Sequence, residues 1–480
     1  MRPPDARAAR LTVDGRLSTS AARLAEAASD FGGIHHHRPV AVLKPASVRD
    51  VSRIVEYARA AGLKVAARGR GHSTCGQAQA DGGIVIDMRG LATVHRIDAT
   101  TMDVDAGATW KQVLDASLVR RLMPPVLPDY LQLTVGGLIS LGGIGYQTCR
   151  FGAVVDHVSR LTVVTSTGEV LECSPRLRPD LFRAARGGLG QFGVIVRARL
   201  RLIAAPPLIR FSRYLYADAA TLLRDLRRVA RDRRQRFDTV CAFDIPNEKV
   251  LVRDVLHEAA VGVWIAPWMT NRLFVLQLGQ YCSSASAPDT LYDADELACL
   301  PGVRYTWVDE FGPFADRASE HQVHWKRSGL WDVPHPWLNV ILPGAATSAW
   351  LERTLRTLDP LAPSDGPIMM YPVVRHRSLP SMLRMPGGSY SVRVDVLRAA
   401  VPSDRESVAR LLRANRRLYA ECLEWGGVHY PSAALDMRTR DWQRHFGPLW
   451  KTFTAIRNRY DPKRLFAPGQ GIVTSTSNRA

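Results

Sequence analysis

The chain has 480 residues, 46% of them hydrophobic, with 30 prolines, which is a globular composition with ample core and not a disordered one. No stretch approaches 18 uninterrupted apolar residues, and the first sixteen positions carry Arg2, Asp5, Arg7, Arg10, Asp14 and Arg16, so neither a membrane span nor a Sec-type signal is expected, and a cytoplasmic protein is. The formal charge of +19 would suit a nucleic-acid partner, but it comes mainly from arginines spread from end to end, so no nucleic-acid role is expected.

Seven cysteines are scattered without a Cys-x-x-Cys pair. They predict neither zinc nor a disulfide framework, and they suit a reducing compartment. An alanine-rich helix is predicted over Ser20–Ser29. His35, His36 and His37 are consecutive and cannot share one face, so they read as a loop entering a strand and not as a metal site. From Pro39 strands and helices alternate: a strand over Val40–Leu43, then a helix over Ser47–Ala61 with Ser47 as N-cap and Val51, Ile54, Val55 and Ala58 as its apolar stripe. Strands follow at Val65–Ala67, Gly83–Met88 and Thr101–Val104, and a helix at Thr109–Arg120. Leu161–Thr165 and Glu169–Cys173 read as a hairpin, Asp180–Arg186 as a helix and Val194–Ile203 as a long strand. Pro206 and Pro207 close this region. Residues 208–440 are richer in tryptophan, with Arg224–Arg236 as the solvated face of a helix. A final helix is predicted over Asp441–Tyr460, before turns at Asp461-Pro462 and Pro468-Gly469.

Three segments carry chemistry. In Arg68-Gly-Arg-Gly-His72-Ser-Thr-Cys-Gly-Gln77, two glycines follow a short strand, so backbone N–H groups can turn toward a pyrophosphate, with Arg68 or Arg70 as its partner. In Pro128-Asp129-Tyr-Leu-Gln-Leu-Thr134-Val-Gly-Gly137, running on to Gly145, the glycines imply backbone packed against something flat, and Asp129 beside an apolar run is a candidate base. Gly187-Gly-Leu-Gly-Gln-Phe-Gly193 contains G-x-G-x-x-G, but a helix precedes it and a strand follows. That order is inverted relative to a Rossmann fingerprint, and no acidic residue appears until Asp218, so a conventional NAD site is rejected.

Together these segments resemble the FAD-linked oxidases of the vanillyl-alcohol-oxidase type, most closely the cytokinin dehydrogenases. The resemblance extends through His335-Pro-Trp-Leu-Asn339, His445-Phe-Gly447 with Trp450, and Asp461-Pro462 leading to Ala467-Pro-Gly-Gln470. It implies an α+β fold: a two-part PCMH-type FAD-binding domain with an inserted antiparallel-sheet substrate or cap domain. The expected division is 1–206 for the FAD domain (core 34–206), 207–440 for the cap, and 441–480 returning to the FAD domain. His72 would be bonded to the flavin. Ala67, Gly69, Arg70, Gly71, Ser73 and Gln77 would lie along the pyrophosphate and ring edge, with Thr134, Ser140 and Ile144 continuing the cradle. Val194 would meet the adenine end, and Tyr430, Ala467 and Gln470 would complete the cofactor set. Leu131-Gln132-Leu133 offers no cysteine where some relatives attach FAD a second time, so a single bond is expected. Asp129 would be the catalytic base, and Trp337, Asn339 and Pro431 would meet the substrate.

The implied activity is removal of hydride from a carbon next to nitrogen in a small amine, with oxygen or a quinone-like compound as acceptor. Two departures touch the substrate side. Val240-Cys241-Ala242 stands where the family places a glutamate, and Tyr430-Pro431 stands where it has Tyr-Leu. They keep open an oxidase of the same fold acting on an alcohol, a sugar or a specialised-metabolite intermediate.

Overall fold

A computed structural model describes residues 12–234, 236–246, 272–300, 304–359, 362, 364, 367–375 and 379–472. Its elements follow from local signals. The helix Val48–Ala61 starts where the Ser47 hydroxyl accepts from Asp50 N–H, and the Asp50 carboxylate returns the bond to the Ser47 backbone. The same buried carboxylate also accepts from the backbone of Asp14, Gly15 and Ala46, which moors the N-terminal strand. Gly62 ends the helix at φ +70°, and Val51, Ile54, Val55 and Ala58 face the core with no exposure. Thr109 and Gln112 form a second reciprocal cap ahead of the helix Trp110–Leu118. Each such cap stabilises its helix by about 1 kcal/mol.

Three larger sheets and a two-stranded ribbon, Leu122–Met123 with Ile203–Ala204, organise the described residues. The first runs Arg16–Ser18, Ala41–Lys44, Ile84–Asp87, Val65–Arg68; its outer pair is antiparallel and the rest parallel. The second, Val94–Ile97, Thr101–Asp105, Val194–Arg201, Val158–Val164, Val170–Cys173, is antiparallel throughout. The third has eight antiparallel strands drawn from residues 208–429. Its order is Arg304–Glu310, Leu208–Tyr216, Arg272–Cys282, Thr239–Pro246, Ile368–Val374, Tyr390–Val396, Leu338–Pro343, Val428–His429. The tail then crosses back to the first sheet. Phe466 bridges Val65 in parallel, and the buried Asp461 carboxylate accepts from the N–H groups of Leu465 and Phe466 to form that turn.

Several expectations are corrected. The terminal helix is two helices, Thr439–Phe446 and Trp450–Tyr460, because Gly447 at φ +49° and Pro448 interrupt the ladder. The arginine-rich helix spans Ala219–Ala230 and stops short of Arg236, which instead pairs with Asp232 and Glu296. The strands Arg16–Ser18 and Val94–Ile97 were not expected. Neither was the helix Val135–Leu141, whose Gly136 lets its backbone lie against Ala106, where a Cβ would fall 2.8 Å from the alanine methyl. The glycine segment 187–193 keeps its inverted setting, between the helix Pro179–Ala185 and the strand Val194–Arg201.

Candidate active site

Four segments converge beside the first sheet. The Val65–Arg68 strand delivers the loop that carries His72. A side chain at Gly69 would meet Thr134 Oγ1 at 2.1 Å, so only glycine lets this loop lie on the start of the Val135–Leu141 helix; Gly71 turns it at φ +68°. At that helix's far end, Gly187 and Leu189 donate to the carbonyls of Ile139 and Ser140. Gln191 Nε2 donates to the Ala467 carbonyl at 3.0 Å, and Gly469 packs on the Gly76 backbone.

The expected residues divide in this frame. Ala67 and Arg70 are exposed on the loop side, and Arg70, Gly71 and His72 line an open cleft of about 310 Å³. Ser73 and Gln77 are engaged within the loop: Ser73 Oγ donates to buried Asp30, and Gln77 accepts from Cys75 N–H and donates to the Ala433 carbonyl. Arg68 is buried and donates to the Ser29 carbonyl at 2.5 Å, which leaves Arg70 as the loop's solvent-facing cation. Thr134 is buried, and Val194 is a core residue opposite Val164. Gln470 is held through its carbonyl by Trp442 Nε1. Ile144 and Tyr430 lie deeper, in a cluster with Cys241 and Tyr371, and Pro431 is buried next to them.

His72 stands in an aromatic enclosure. Phe31 stacks on it at 4.1 Å, and Tyr130, Trp337 and Trp331 stand at 4.9, 5.9 and 6.0 Å. His335, stacked behind Phe31 at 4.0 Å, ties the third sheet to this wall, with a ring nitrogen 3.0 Å from the Phe31 carbonyl. Burial, with Arg70 and His335 nearby, lowers the His72 pKa to about 3, so the imidazole is neutral at ordinary pH. Trp337 Nε1 is buried without a hydrogen-bond partner.

Next along the chain from Tyr130, Asp129 occupies a polar centre. Its Oδ2 accepts from the Tyr371 hydroxyl at 2.6 Å, while Oδ1 is buried with no hydrogen-bond partner. Burial pushes its pKa up to about 6, against the lowering effect of the Tyr371 bond and of Arg317 and Arg393. Arg393 pairs with Asp395 at 2.5 Å and donates to the Ile144 carbonyl, while its guanidinium covers the Tyr430 ring. Asn339 lies opposite Asp395 in the sheet, with Oδ1 buried and unpartnered. Tyr371, Arg317, Arg393, Phe31 and Trp331 were not anticipated. They lie far from Asp129 or His72 in sequence, and no local pattern marks them.

A buried carboxylate beside an apolar wall, next to a cleft at the Gly69–Gly71 turn, fits a flat redox cofactor. The orphaned Trp337 Nε1 and Asn339 Oδ1 and the close backbone packing at Gly69 fit such a group. The fold agrees: 6-hydroxy-D-nicotine oxidase from Arthrobacter nicotinovorans superposes with a TM-score of 0.71 over 96% of this chain and 98% of its own, at 19% identity. A family profile described as "FAD binding domain" matches residues 39–174, and one described as "Cytokinin dehydrogenase 1, FAD and cytokinin binding" matches residues 206–473. An uncharacterized oxidoreductase of the fasciation locus of Rhodococcoides fascians is 34% identical over 95% of this chain and 99% of its own length. Cytokinin dehydrogenase 5 of Oryza sativa subsp. japonica is 33% identical (96% and 92%), and cytokinin dehydrogenase 4 of Arabidopsis thaliana is 33% identical (94% and 90%). The chain is an FAD-dependent oxidoreductase. It belongs to the cytokinin dehydrogenase family. No helix among the described residues is long and apolar enough to cross a membrane.

Proposed function

We propose that this enzyme holds FAD through a single covalent bond to His72 and oxidises a small amine at the carbon next to nitrogen, with Asp129 taking the nitrogen's proton. The observation that carries the reading is the pairing of the two centres. A carboxylate with one buried, unpartnered oxygen and a pKa near 6 immediately precedes Tyr130, whose ring stands 4.9 Å from His72. Bound FAD supplies the two-electron acceptor. The protein does the rest. Tyr371 orients the Asp129 carboxylate so that its other oxygen faces an N–H donor, and the apolar walls keep water from competing for that oxygen. Trp337 and Tyr130 flank a planar substrate, and Asn339 and Pro431 border it. Neutral His72 has its ring nitrogens free to form the cofactor bond, with Gly69, Arg70, Gly71 and Thr134 beside the cofactor.

The names of the relatives make a cytokinin, an N-substituted adenine, the first substrate to test. A second reading, an alcohol, a sugar or a specialised-metabolite intermediate, is favoured by one observation: near Asp129, where the family places a glutamate, stands Cys241, a neutral thiol clustered with Ile144, Ile341 and Tyr371. Residues 1–206 with 441–480 would carry the cofactor and 207–440 the substrate. Oxygen or a quinone-like compound would reoxidise the flavin. Seven scattered, buried cysteines suit a reducing compartment, the cytoplasm. The test is direct. Acid-precipitated polypeptide should keep flavin fluorescence, and isopentenyladenine with a dye acceptor should yield an aldehyde and a free amine. Flavin released wholly by acid overturns the covalent bond, and oxidation of alcohols or sugars in place of the amine selects the second reading.

A further inference from the structure

A second cluster of reactive side chains begins three residues past His72. Cys75 belongs to the loop that carries His72, His35 to the histidine run ahead of the Ala41–Lys44 strand, and Asp436 to the segment after Val428–His429. Asp436 Oδ1 stands 3.1 Å from His35 Nε2 and 3.7 Å from Cys75 Sγ, and the three atoms all lie within 4.8 Å of one another. No other trio of histidine, cysteine or carboxylate ligands gathers this closely among the described residues. Cys75 is buried, His35 half-buried and Asp436 exposed, so the cluster opens to solvent on the Asp436 side, and His36, which is also exposed, takes no part in it.

The backbone around these groups is already fixed. Thr74 Oγ1 donates to the Ser432 carbonyl at 2.5 Å and Gln77 Nε2 to the Ala433 carbonyl at 3.3 Å, which hold the Asp436 segment against the His72 loop. Gln79, fully buried, donates to the His35 carbonyl at 2.9 Å and accepts from His37 N–H at 3.0 Å. Gly76 brings the loop close, since a Cβ there would lie 3.2 Å from His35 Cβ. The separations suit a metal ion. Tetrahedral zinc, with nitrogen and oxygen at about 2.0–2.1 Å and sulfur at about 2.3 Å, sets its ligand atoms roughly 3.3–3.6 Å apart. Thiolate and imidazole together select such an ion over magnesium or calcium, which take oxygen. Burial, and then the charges of Asp436 and Asp30, hold the proton on Cys75, and in such a setting a divalent cation can take that proton's place.

We infer that His35, Cys75 and Asp436 form a site for one zinc-class divalent cation, with water as fourth ligand, which fastens the segment carrying Tyr430, Pro431 and Asp436 to the loop carrying His72. The cation takes Nε2 of neutral His35, Sγ of Cys75 as thiolate and Oδ1 of Asp436, and the thiol proton passes to solvent. Its role is structural. No group assigned to the proposed reaction is among its ligands, so the inference stands whatever the substrate.

Zinc and cobalt(II) are the probes, each titrated into holoenzyme that has been treated with a chelator and dialysed. Calorimetry should show one zinc ion bound per chain, and bound zinc should raise the melting temperature. Cobalt(II) should give the intense ligand-field bands of a four-coordinate thiolate site, at wavelengths beyond the absorption of oxidised flavin. Cys75→Ser and Asp436→Asn should each weaken zinc binding at least about tenfold, while His36→Gln should leave it unchanged. The absence of saturable binding in the wild type overturns the inference, and so does equal affinity in Cys75→Ser and Asp436→Asn. Loss of binding in His36→Gln would assign the ion to the histidine run instead. If the Cys75 variant does not fold, the wild-type cobalt spectrum still decides, because weak six-coordinate bands without thiolate character rule the site out.

Discussion

The two halves of the site are built from opposite materials. Around His72 the walls are rings: Phe31, Tyr130, Trp331 and Trp337 enclose an imidazole that has no hydrogen-bond partner among the described residues. Around Asp129 the walls are donors and charges: Tyr371, Arg317 and the Arg393–Asp395 pair. Burial acts on both centres and moves each toward its neutral form, lowering the histidine to about 3 and raising the aspartate to about 6. The difference lies in what opposes burial. Nothing compensates a charge on His72, so it stays neutral. Tyr371 and two arginines pull Asp129 back toward its ionised form, so it titrates near 6, which suits a group that must take up a proton and release it again.

Exchanging the losses between the halves tests that contrast. His72→Ala should abolish covalent attachment altogether, read as loss of flavin fluorescence from the denatured polypeptide, while Asp129 keeps its bond to Tyr371. Asp129→Asn should leave attachment intact and slow flavin reduction in anaerobic stopped flow by about 10²–10⁴-fold, the usual worth of a positioned base. If Asp129→Asn lost its flavin, or reduced it at the native rate, the two halves would not divide the work as described. Gly69→Ala forces a methyl to within 2.1 Å of Thr134 Oγ1, so it should cost about 1–3 kcal/mol of stability in denaturant titration, together with a lower flavin content.

The smallest effects concern the acid limb of the rate profile. Flavin reduction should rise with pH through about 6 and level above it, because only the ionised Asp129 accepts a proton. Tyr371→Phe removes a bond that favours the ionised form, so the limb should move to higher pH, with about a tenfold loss of rate below it. A limb that stayed in place would mean that Tyr371 does not tune this carboxylate.

Much of the cofactor side was legible along the chain, because it is made of contiguous segments. The loop after Val65–Arg68, the glycine run after Asp129, and Gly187–Gly193 each announce backbone that must approach something closely, and the first and third lie where their local order predicts. Asp129 stood out for the same reason, as a carboxylate in an apolar stretch. Local signals also misled where one glycine or proline decided the outcome, as at Gly447-Pro448 in the terminal helix.

The partners of these residues were not legible. Tyr371 reaches Asp129 across 242 positions, and His335 reaches Phe31 across 304. Both contacts exist only because the eight-stranded sheet is laid over the cofactor side. The sequence by itself determined the class of cofactor, since the motifs that carry the family resemblance are properties of short stretches of chain. The tertiary structure alone decided the protonation of His72 and Asp129. Desolvation and charge depend on distances in space, which hydrophobic packing of remote strands sets and no local pattern records.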